Sequence, residues 1–219
     1  MHSDSRSVSS NQQEVHPDLI SRFHKHQSSR FDRPISQSSR KIFEDSLALV
    51  EANPKPIILD SGCGVGRSSR ALATIHPNHW VIAVDQSAHR LAKQHNETLE
   101  PNLIMVRANL IDYWRLAAEK GLQLDKHFIL YPNPWPKKKH LMRRWHGHPV
   151  FKDMLKLGGN LELRTNWEIY AQEFAQVINE IGYRAEPIDC FEPETYLTHF
   201  EEKYHRSGQK LYCLKVRLG

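Results

Sequence analysis

The feature that most constrains the fold of this chain is a regular alternation of short apolar runs with segments of helical spacing. The apolar runs cover residues 56–60, 80–84, 103–107, 127–131 and 161–163. Strands that alternate with helices form right-handed βαβ units and a mainly parallel sheet. We therefore expect an α/β fold, Rossmann-like and doubly wound with helices on both faces, that binds ligands at the carboxyl ends of its strands.

The start of the chain differs in composition from the rest. Residues 1–33 are rich in Ser, Gln, Asn, His and Arg and show no apolar period, which predicts a mobile basic and polar arm. Residues 34–219 are predicted to form one globular domain. A helix is predicted over residues 87–96, with Ser87 as its N-cap.

Charge and cysteine content narrow the class of partner. The formal net charge of +5 favours a polyanionic partner. Cys63, Cys190 and Cys213 lack the spacing of a metal site or a Cys-x-x-Cys pair, so we expect reduced thiols and no bound metal. No apolar run approaches the roughly 20 residues needed to span a bilayer, which indicates a cytoplasmic protein without a membrane partner. The oligomeric state, monomer or homodimer, is left open.

A glycine-rich loop follows the first predicted strand and opens the next helix. Its glycines are Gly62, Gly64 and Gly66, a pattern that differs from the Gly-x-Gly-x-x-Gly fingerprint of dinucleotide sites. Asp60 precedes them, and Asp85 ends the second strand, where an acid can bind ribose hydroxyls. Because S-adenosylmethionine carries an ammonium group and no phosphate, an acid at this loop favours it as the cofactor.

The fourth predicted strand runs into a loop with three prolines, which fix the backbone and so hold Asn133 and Trp135 rigidly. Asn133 offers a donor and an acceptor, and Trp135 offers a face on which a base can stack. Cations and aromatic residues follow, a combination typical of an RNA substrate beside a cofactor site. These residues are Lys137, Lys138, Lys139, His140, Arg143, Arg144, Trp145, His146 and His148.

Two later polar segments carry little information by themselves. Thr165 and Asn166 end another predicted strand at the same rim, although such a pair is also an ordinary helix N-cap. The segment from Thr198 to Lys203 is interpreted, from its residues alone, as a surface turn.

At these positions the chain resembles the tRNA (guanine-N7-)-methyltransferases, over about residues 55–217. The segment Pro132–Lys137, with the basic residues after it, is similar to the family's Pro-Asp-Pro-Trp-x-Lys. Thr165-Asn166 with Tyr170 is similar to its Thr-Asp-x-x-x-Tyr, and Thr198-x-Phe200-Glu201 to its closing Thr-x-Phe-Glu. The resemblance implies the class I methyltransferase fold and methyl transfer from S-adenosylmethionine to guanine N7 in tRNA.

The resemblance also implies roles for individual residues. Asn133 would lie at the reacting centre, in contact with cofactor and base, as the catalytic residue. The other cofactor contacts would be Asp60, Gly62, Gly64, Gly66, Asp85 and Asn109. The guanosine would be bound by Lys137, Asn166, Thr198 and Glu201. The tRNA backbone would be bound by Lys138, Lys139, His140, Arg143 and Arg144.

Three asparagines, Asn109, Asn133 and Asn166, stand where the family usually has aspartate, and Asp60-Ser61-Gly62 replaces its usual Glu-x-Gly. A charged contact is worth roughly 1 kcal/mol more than a neutral one, or about five- to tenfold in rate. Two alternatives to N7 transfer therefore stay open. One is methylation of an exocyclic amine on another RNA base, because Asn133-Pro134-Trp135 looks like the Asn-Pro-Pro-aromatic loop of such enzymes. The other is a catalytically silent RNA-binding relative.

Overall fold

The computed structural model describes residues 5–93 and 100–219, and the strands in this part of the chain form one sheet. The strand order is β3-β2-β1-β4-β5-β7-β6, and β7 alone runs antiparallel to its neighbours. This order confirms the predicted doubly wound, mainly parallel α/β fold. The strands are β1 (Ile57–Ser61), β2 (Trp80–Asp85), β3 (Leu103–Arg107), β4 (Lys126–Leu130), β5 (Gly159–Thr165), β6 (Asp189–Cys190) and β7 (Tyr212–Leu218).

Helices cover both faces of this sheet. They are α1 (Leu19–Ser28), α2 (Gln37–Ala52), α3 (Arg67–Ile75), α4 (Ala88–Ala92), α5 (Leu110–Lys120), α6 (Phe151–Leu155), α7 (Glu168–Glu180) and α8 (His199–Arg206). Two short 3-10 turns span Lys138–Arg143 and Trp145–Gly147. The helix predicted from residue 87 begins there, since Ser87 Oγ accepts from Arg90 N. The part of that prediction over residues 94–96 lies outside the described residues.

The core consists of two apolar layers, because successive residues of a strand face opposite sides of the sheet. Leu59 and Ile82 belong to the layer beneath α1, α2, α5, α6 and α7, whereas Ile58 and Val81 belong to the layer beneath α3. All five residues of β1 are buried, as expected for a central strand covered on both faces. The loops after β1, β2, β3 and β4 therefore meet at one edge of a rigid sheet.

Residues 5–33 are more closely packed than the sequence predicts. Helix α1 lies against α7, and its Leu19 and Phe23 are buried in the core, with the Phe23 ring edge-on to Phe151. The sequence did not predict this helix, because two buried apolar residues among polar ones give only a weak helical periodicity. The mobility of this segment and the domain boundary at residue 33 stay predictions. Gln12, also buried, enters the functional site described below.

Candidate active site

The glycine loop turns sharply between β1 and α3. The amides of Gly62 and Cys63 both donate to the Val84 carbonyl, at 2.8 and 3.1 Å, which fastens the loop to β2. Gly62 and Gly64 have φ values of +82° and +61°, in the left-handed region that favours glycine. Gly66, at φ +76°, is the N-cap of α3. The loop thus presents backbone rather than side chains to the space above β1.

Asp85 closes the other side of this loop. Its carboxylate accepts from Gly64 N at 3.0 Å and from Ser87 N at 2.7 Å, and the residue is only 4% exposed. Because an ionised carboxylate has about four acceptor positions, these two bonds leave capacity for further donors. The Arg90 guanidinium lies 3.5 Å away. This position suits the predicted contact with ribose hydroxyls.

Asp60 lies at the end of β1, largely buried beneath the loop, and its predicted contact with the cofactor stays a prediction. It is 1% exposed, and its Oδ2 accepts from the hydroxyls of Ser68 and Ser69, each at 2.6 Å. Burial raises the pKa of this carboxyl, and the two hydroxyl bonds oppose that rise. Asp60 therefore fastens the first turn of α3 to the end of β1.

A cavity of about 580 Å³ opens above the strand ends, within the range of small-molecule sites. Asn109 lies at its wall, where its Oδ1 accepts from Ile111 N at 2.9 Å and caps α5. The cavity joins the glycine loop to the proline-rich loop after β4, as the sequence predicts. Its lining includes Ser61, Gly62, Asp85, Gln86, Arg90, Asn109, Leu110, Ile111, Leu130, Tyr131, Pro132, Asn133, Pro134, Trp135, Arg143, Trp145, Phe200 and Tyr204.

The proline-rich loop at the far end of the cavity holds an unusual backbone. Tyr131 and Trp135 have φ values of +51° and +45°, a region that non-glycine residues rarely adopt. Asn133 Oδ1 accepts from Trp135 N at 3.2 Å, and the Asn133 side chain is exposed. The Arg143 guanidinium lies over the Trp135 ring, 4.6 Å from its centroid. Such backbone strain persists only where surrounding contacts determine it, and it is common at functional sites.

The segment after residue 197 is helical, which corrects the interpretation of a surface turn. Thr198 caps α8, because its hydroxyl accepts from Glu201 N at 2.9 Å. Glu201 is fully buried, where it accepts from the Tyr131 hydroxyl and from Arg164, each at 2.9 Å. Burial and this carboxylate raise the pKa of Tyr131, so its hydroxyl stays protonated and donates. Glu201 therefore braces the loop after β4 and, being fully buried, does not reach the cavity, which corrects its predicted contact with the guanosine. The predicted guanosine contact of Thr198 stays a prediction.

The two other predicted guanosine contacts also lie apart from the cavity lining. Asn166 donates to Gln209 Oε1 at 2.8 Å and lines a separate cleft beside the start of α7. Lys137 is exposed just before the first 3-10 turn. A direct role for either residue in binding the guanosine stays a prediction.

The basic run divides into an exposed part and a buried part. Lys138, Lys139 and Arg143 are exposed, and His140 is half-buried with its ring edge-on to Trp135. Arg144 is fully buried, with its guanidinium 2.5 Å from the Glu173 carboxylate. A side chain in this position cannot bind a phosphate, which corrects the prediction for Arg144.

Sequence reasoning missed the aromatic wall of the site. Phe200 is 44% exposed and stacks on Tyr204 at a centroid distance of 5.9 Å, and both residues line the cavity with Trp145. The spacing of Phe200 and Tyr204, four residues apart, is the signal that places both on one face of a helix. Interpreting this segment as a turn concealed that spacing.

Comparison with known proteins agrees with this geometry. A family model described as "Putative methyltransferase" matches residues 54–214. The tRNA (guanine-N(7)-)-methyltransferase of Neisseria gonorrhoeae is 30% identical, over 73% of this chain and 71% of that protein. This chain belongs to the same methyltransferase family. Another protein of that name, from Nitrosospira multiformis, is 28% identical over 78% of each chain.

Two solved methyltransferase structures have a fold similar to that of this chain. The 16S rRNA methyltransferase KamB aligns with a TM-score of 0.58 and 18% identity, over 85% of this chain and 95% of that one. A 16S rRNA (adenine(1408)-N(1))-methyltransferase variant from Catenulisporales acidiphilia, solved with its cosubstrate SAM, aligns with a TM-score of 0.57 and 17% identity, over 79% and 89%. The fold is that of class I methyltransferases.

Two features of the described residues concern membranes and metals. None of the helices there is long and apolar enough to cross a membrane. The same residues contain no cluster of three or more His, Cys, Asp or Glu side chains arranged to hold a metal ion.

Proposed function

We propose that this protein transfers the methyl group of S-adenosylmethionine to N7 of a guanine in tRNA. The observation that carries the proposal is one cavity whose opposite ends are a glycine loop with Asp85 and the strained loop of Asn133 and Trp135. The related proteins from Neisseria gonorrhoeae and Nitrosospira multiformis are named for this activity. A donor held at the first end and a base at the second would place sulfur, methyl group and nitrogen in line.

The residues at the first end fit S-adenosylmethionine, which supplies an electrophilic methyl group on a sulfonium. Gly62 borders the cavity with a φ of +82°, a backbone conformation that residues with a side chain rarely adopt. Asp85 keeps acceptor capacity for ribose hydroxyls after its bonds to Gly64 N and Ser87 N. Asn109, fixed by its cap bond, offers an amide to the adenine edge.

The second end provides surfaces for a flat base. Guanine N7 has a free lone pair, so the residues need only position it, and no general base is required. The exposed ring of Phe200, supported by Tyr204, offers a stacking face. Trp135 is held by the Arg143 guanidinium and by the bond from its own amide to Asn133. Asn133 thereby shapes the loop around the base.

Charge stabilisation at this end would come from aromatic rings. Of the described residues that line the cavity, Asp85 is the one carboxylate, and it lies at the cofactor end. The purine becomes cationic as the methyl group is transferred, and ring faces attract a cation by about 0.5–2 kcal/mol. The rings of Tyr131 and Trp145 line the cavity for this role, whereas one face of Trp135 is already covered by the Arg143 guanidinium. They would partly compensate for asparagine in place of the family's usual aspartate.

The exposed cations Lys138, Lys139 and Arg143 lie directly beside this loop and would bind phosphates of the tRNA backbone. The alternative of an exocyclic amine is less well supported. The relatives described above are named for guanine N7 instead, and Trp135 N already uses one of the two lone pairs of Asn133 Oδ1, the acceptor that would hold an amine hydrogen. That alternative and a silent RNA-binding relative become outcomes of the test.

The test is transfer of labelled methyl groups from S-adenosylmethionine to bulk tRNA, followed by nucleoside analysis. We expect 7-methylguanosine, with Asp85→Ala strongly impaired and the exposed helix variant Asp45→Ala unchanged. An N-methylated exocyclic amine as the product would establish the first alternative. Binding of tRNA and cofactor without any transfer would establish the silent relative. Either result would overturn the proposal.

A further inference from the structure

The N-terminal segment reaches the core of the molecule at Gln12, which is 3% exposed. Its amide nitrogen donates to Glu173 Oε1 at 2.6 Å, and its amide oxygen accepts from Arg144 Nη2 at 2.9 Å. Glu173 also accepts from the His16 backbone amide at 3.0 Å and pairs with His146 at 2.8 Å. Gln12 thus bridges both members of a buried ion pair from a segment more than 100 residues away in sequence.

This buried cluster supports the strained loop directly. The guanidinium of Arg144 donates to the Trp135 carbonyl through Nε at 3.3 Å and Nη2 at 3.2 Å. The next carbonyl, that of Pro136, accepts from the Ser10 hydroxyl. Two consecutive carbonyls of the loop are therefore held, one by the cluster that Gln12 completes and one by the N-terminal segment itself. The residue they hold, Trp135, has the left-handed backbone and lines the cavity.

We propose that Gln12 is a positioning residue for methyl transfer, which fixes the Asn133–Trp135 loop through Arg144. This inference rests on the proposed function. Residues 10–16 would then help to determine the geometry of the site, in contrast to the solvated arm that the sequence predicts. Among the described residues, the hydrogen bonds of Gln12, Arg144 and Glu173 reach the Trp135 loop and not Gly62, Gly64 or Asp85, so the two ends are expected to respond differently to loss of the cluster.

The charges in the cluster explain why a neutral amide occupies this position. Burial raises the pKa of Glu173, but bonds from His146 and Arg144 outweigh it and hold the pKa at about 2. The carboxylate is therefore ionised at neutral pH and balances the Arg144 guanidinium. Gln12 satisfies a donor on one and an acceptor on the other without adding charge, which a glutamate or lysine could not do.

The first test compares Gln12→Met, which keeps the side-chain length but loses both hydrogen bonds, with Gln13→Met at the adjacent exposed position. For Gln12→Met we expect single-turnover methyl transfer to fall about tenfold, with the dissociation constant for S-adenosylhomocysteine within twofold of wild type. Gln13→Met should match wild type in both. An unchanged rate, or equal losses of rate and cofactor affinity, would overturn the proposal.

A charge transposition tests the coupling itself. Gln12→Glu crowds two carboxylates around Arg144, and Glu173→Gln leaves that guanidinium without an anion. The double variant restores one carboxylate and one amide on opposite sides of Arg144. We expect the double variant to transfer methyl groups faster than either single variant. If the two single variants reduce the rate independently, the double variant should be slowed by the product of their two fold-reductions. That result would show that Gln12 does not act through this cluster.

Limited trypsin cleavage keeps the inference separate from the proposed function, because it needs no activity. The exposed Lys137–Lys139 segment directly follows the supported carbonyls. We expect Gln12→Met to be cut there about tenfold faster than wild type or Gln13→Met at equal protease. If wild type transfers no methyl group but this difference is found, the function is wrong and the positioning stands. Equal cleavage of all three proteins would refute the positioning, whatever the activity.

Discussion

Replacement by methionine should have very different effects on stability at the adjacent residues Arg143 and Arg144. Arg144 and its partner Glu173 are both fully buried, so Arg144→Met would leave an uncompensated carboxylate in the core. Removing one partner of a buried pair costs about 3–5 kcal/mol, a large fraction of the 5–15 kcal/mol that typically stabilises a domain. Arg143 is exposed, and Arg143→Met, which removes its contact with the Trp135 ring, should lower the free energy of unfolding by no more than about 1 kcal/mol.

The two variants should differ just as clearly in tRNA binding. If Arg143 pairs with a phosphate, its removal should reduce the slope of log affinity against log salt by up to about 0.9. Under conditions in which Arg144→Met remains folded, its salt slope should equal that of the wild type. Urea unfolding and a salt series of tRNA binding measure both effects. An Arg144→Met protein of wild-type stability with a reduced salt slope would refute the buried placement and restore Arg144 as a phosphate contact.

Three further predictions address the cofactor end, the loop and the core. Asp85→Ala should weaken S-adenosylmethionine binding by tenfold or more in calorimetry, about 1.4 kcal/mol, whereas Asp45→Ala should not; equal affinities would exclude the assigned ribose contact. Asn133→Asp keeps the acceptor for Trp135 N, so its single-turnover rate should exceed that of Asn133→Ala, and a fully active alanine variant would remove Asn133 from the site. Burial lowers the pKa of His127 from its ordinary value near 6.5 to about 3. As the pH falls, the unfolded chain therefore takes up this proton before the folded protein does, so the contribution of His127 to the free energy of unfolding is fully present above pH 6.5 and is lost toward pH 3. In urea titrations at a series of pH values, His127→Gln should show a weaker dependence of stability on pH. The same pH profile for both proteins would contradict this prediction.

Local sequence was sufficient for the parts of the site that local geometry determines. The glycines after β1 require a left-handed backbone, and Asp85 follows from its place at a strand end, so both lie where the pattern predicts. The mainly parallel, doubly wound sheet was predictable from the alternation of apolar runs, because right-handed crossovers leave few topologies, whereas the strand order and the antiparallel direction of β7 were not predicted. The loop of Asn133 was predictable for the same reason, since it ends the central strand β4.

The errors arose where long-range partners decide the role of a charged residue. Arg143 and Arg144 are indistinguishable in sequence, and Arg144 is buried because Glu173 on α7 and Gln12 on the N-terminal segment pair with it. Glu201 similarly turns inward because Tyr131 and Arg164 donate to it. A run of basic residues correctly predicts that most of its side chains are exposed. The run itself does not show which of its residues is buried in an ion pair with an acidic residue. Such partners are fixed by tertiary packing, which one sequence does not reveal.

The central claim, that one cavity brings a methyl donor to guanine N7 of tRNA, is tested most directly by chain scission at the modified base. Methylation at N7 makes the purine ring labile, so borohydride reduction followed by aniline cleaves the RNA there. We predict that unmodified tRNA incubated with this protein and S-adenosylmethionine is cleaved at a defined guanine, and that Asn133→Ala greatly reduces this cleavage. Methyl incorporation without any scission would place the methyl group on another atom and contradict the account.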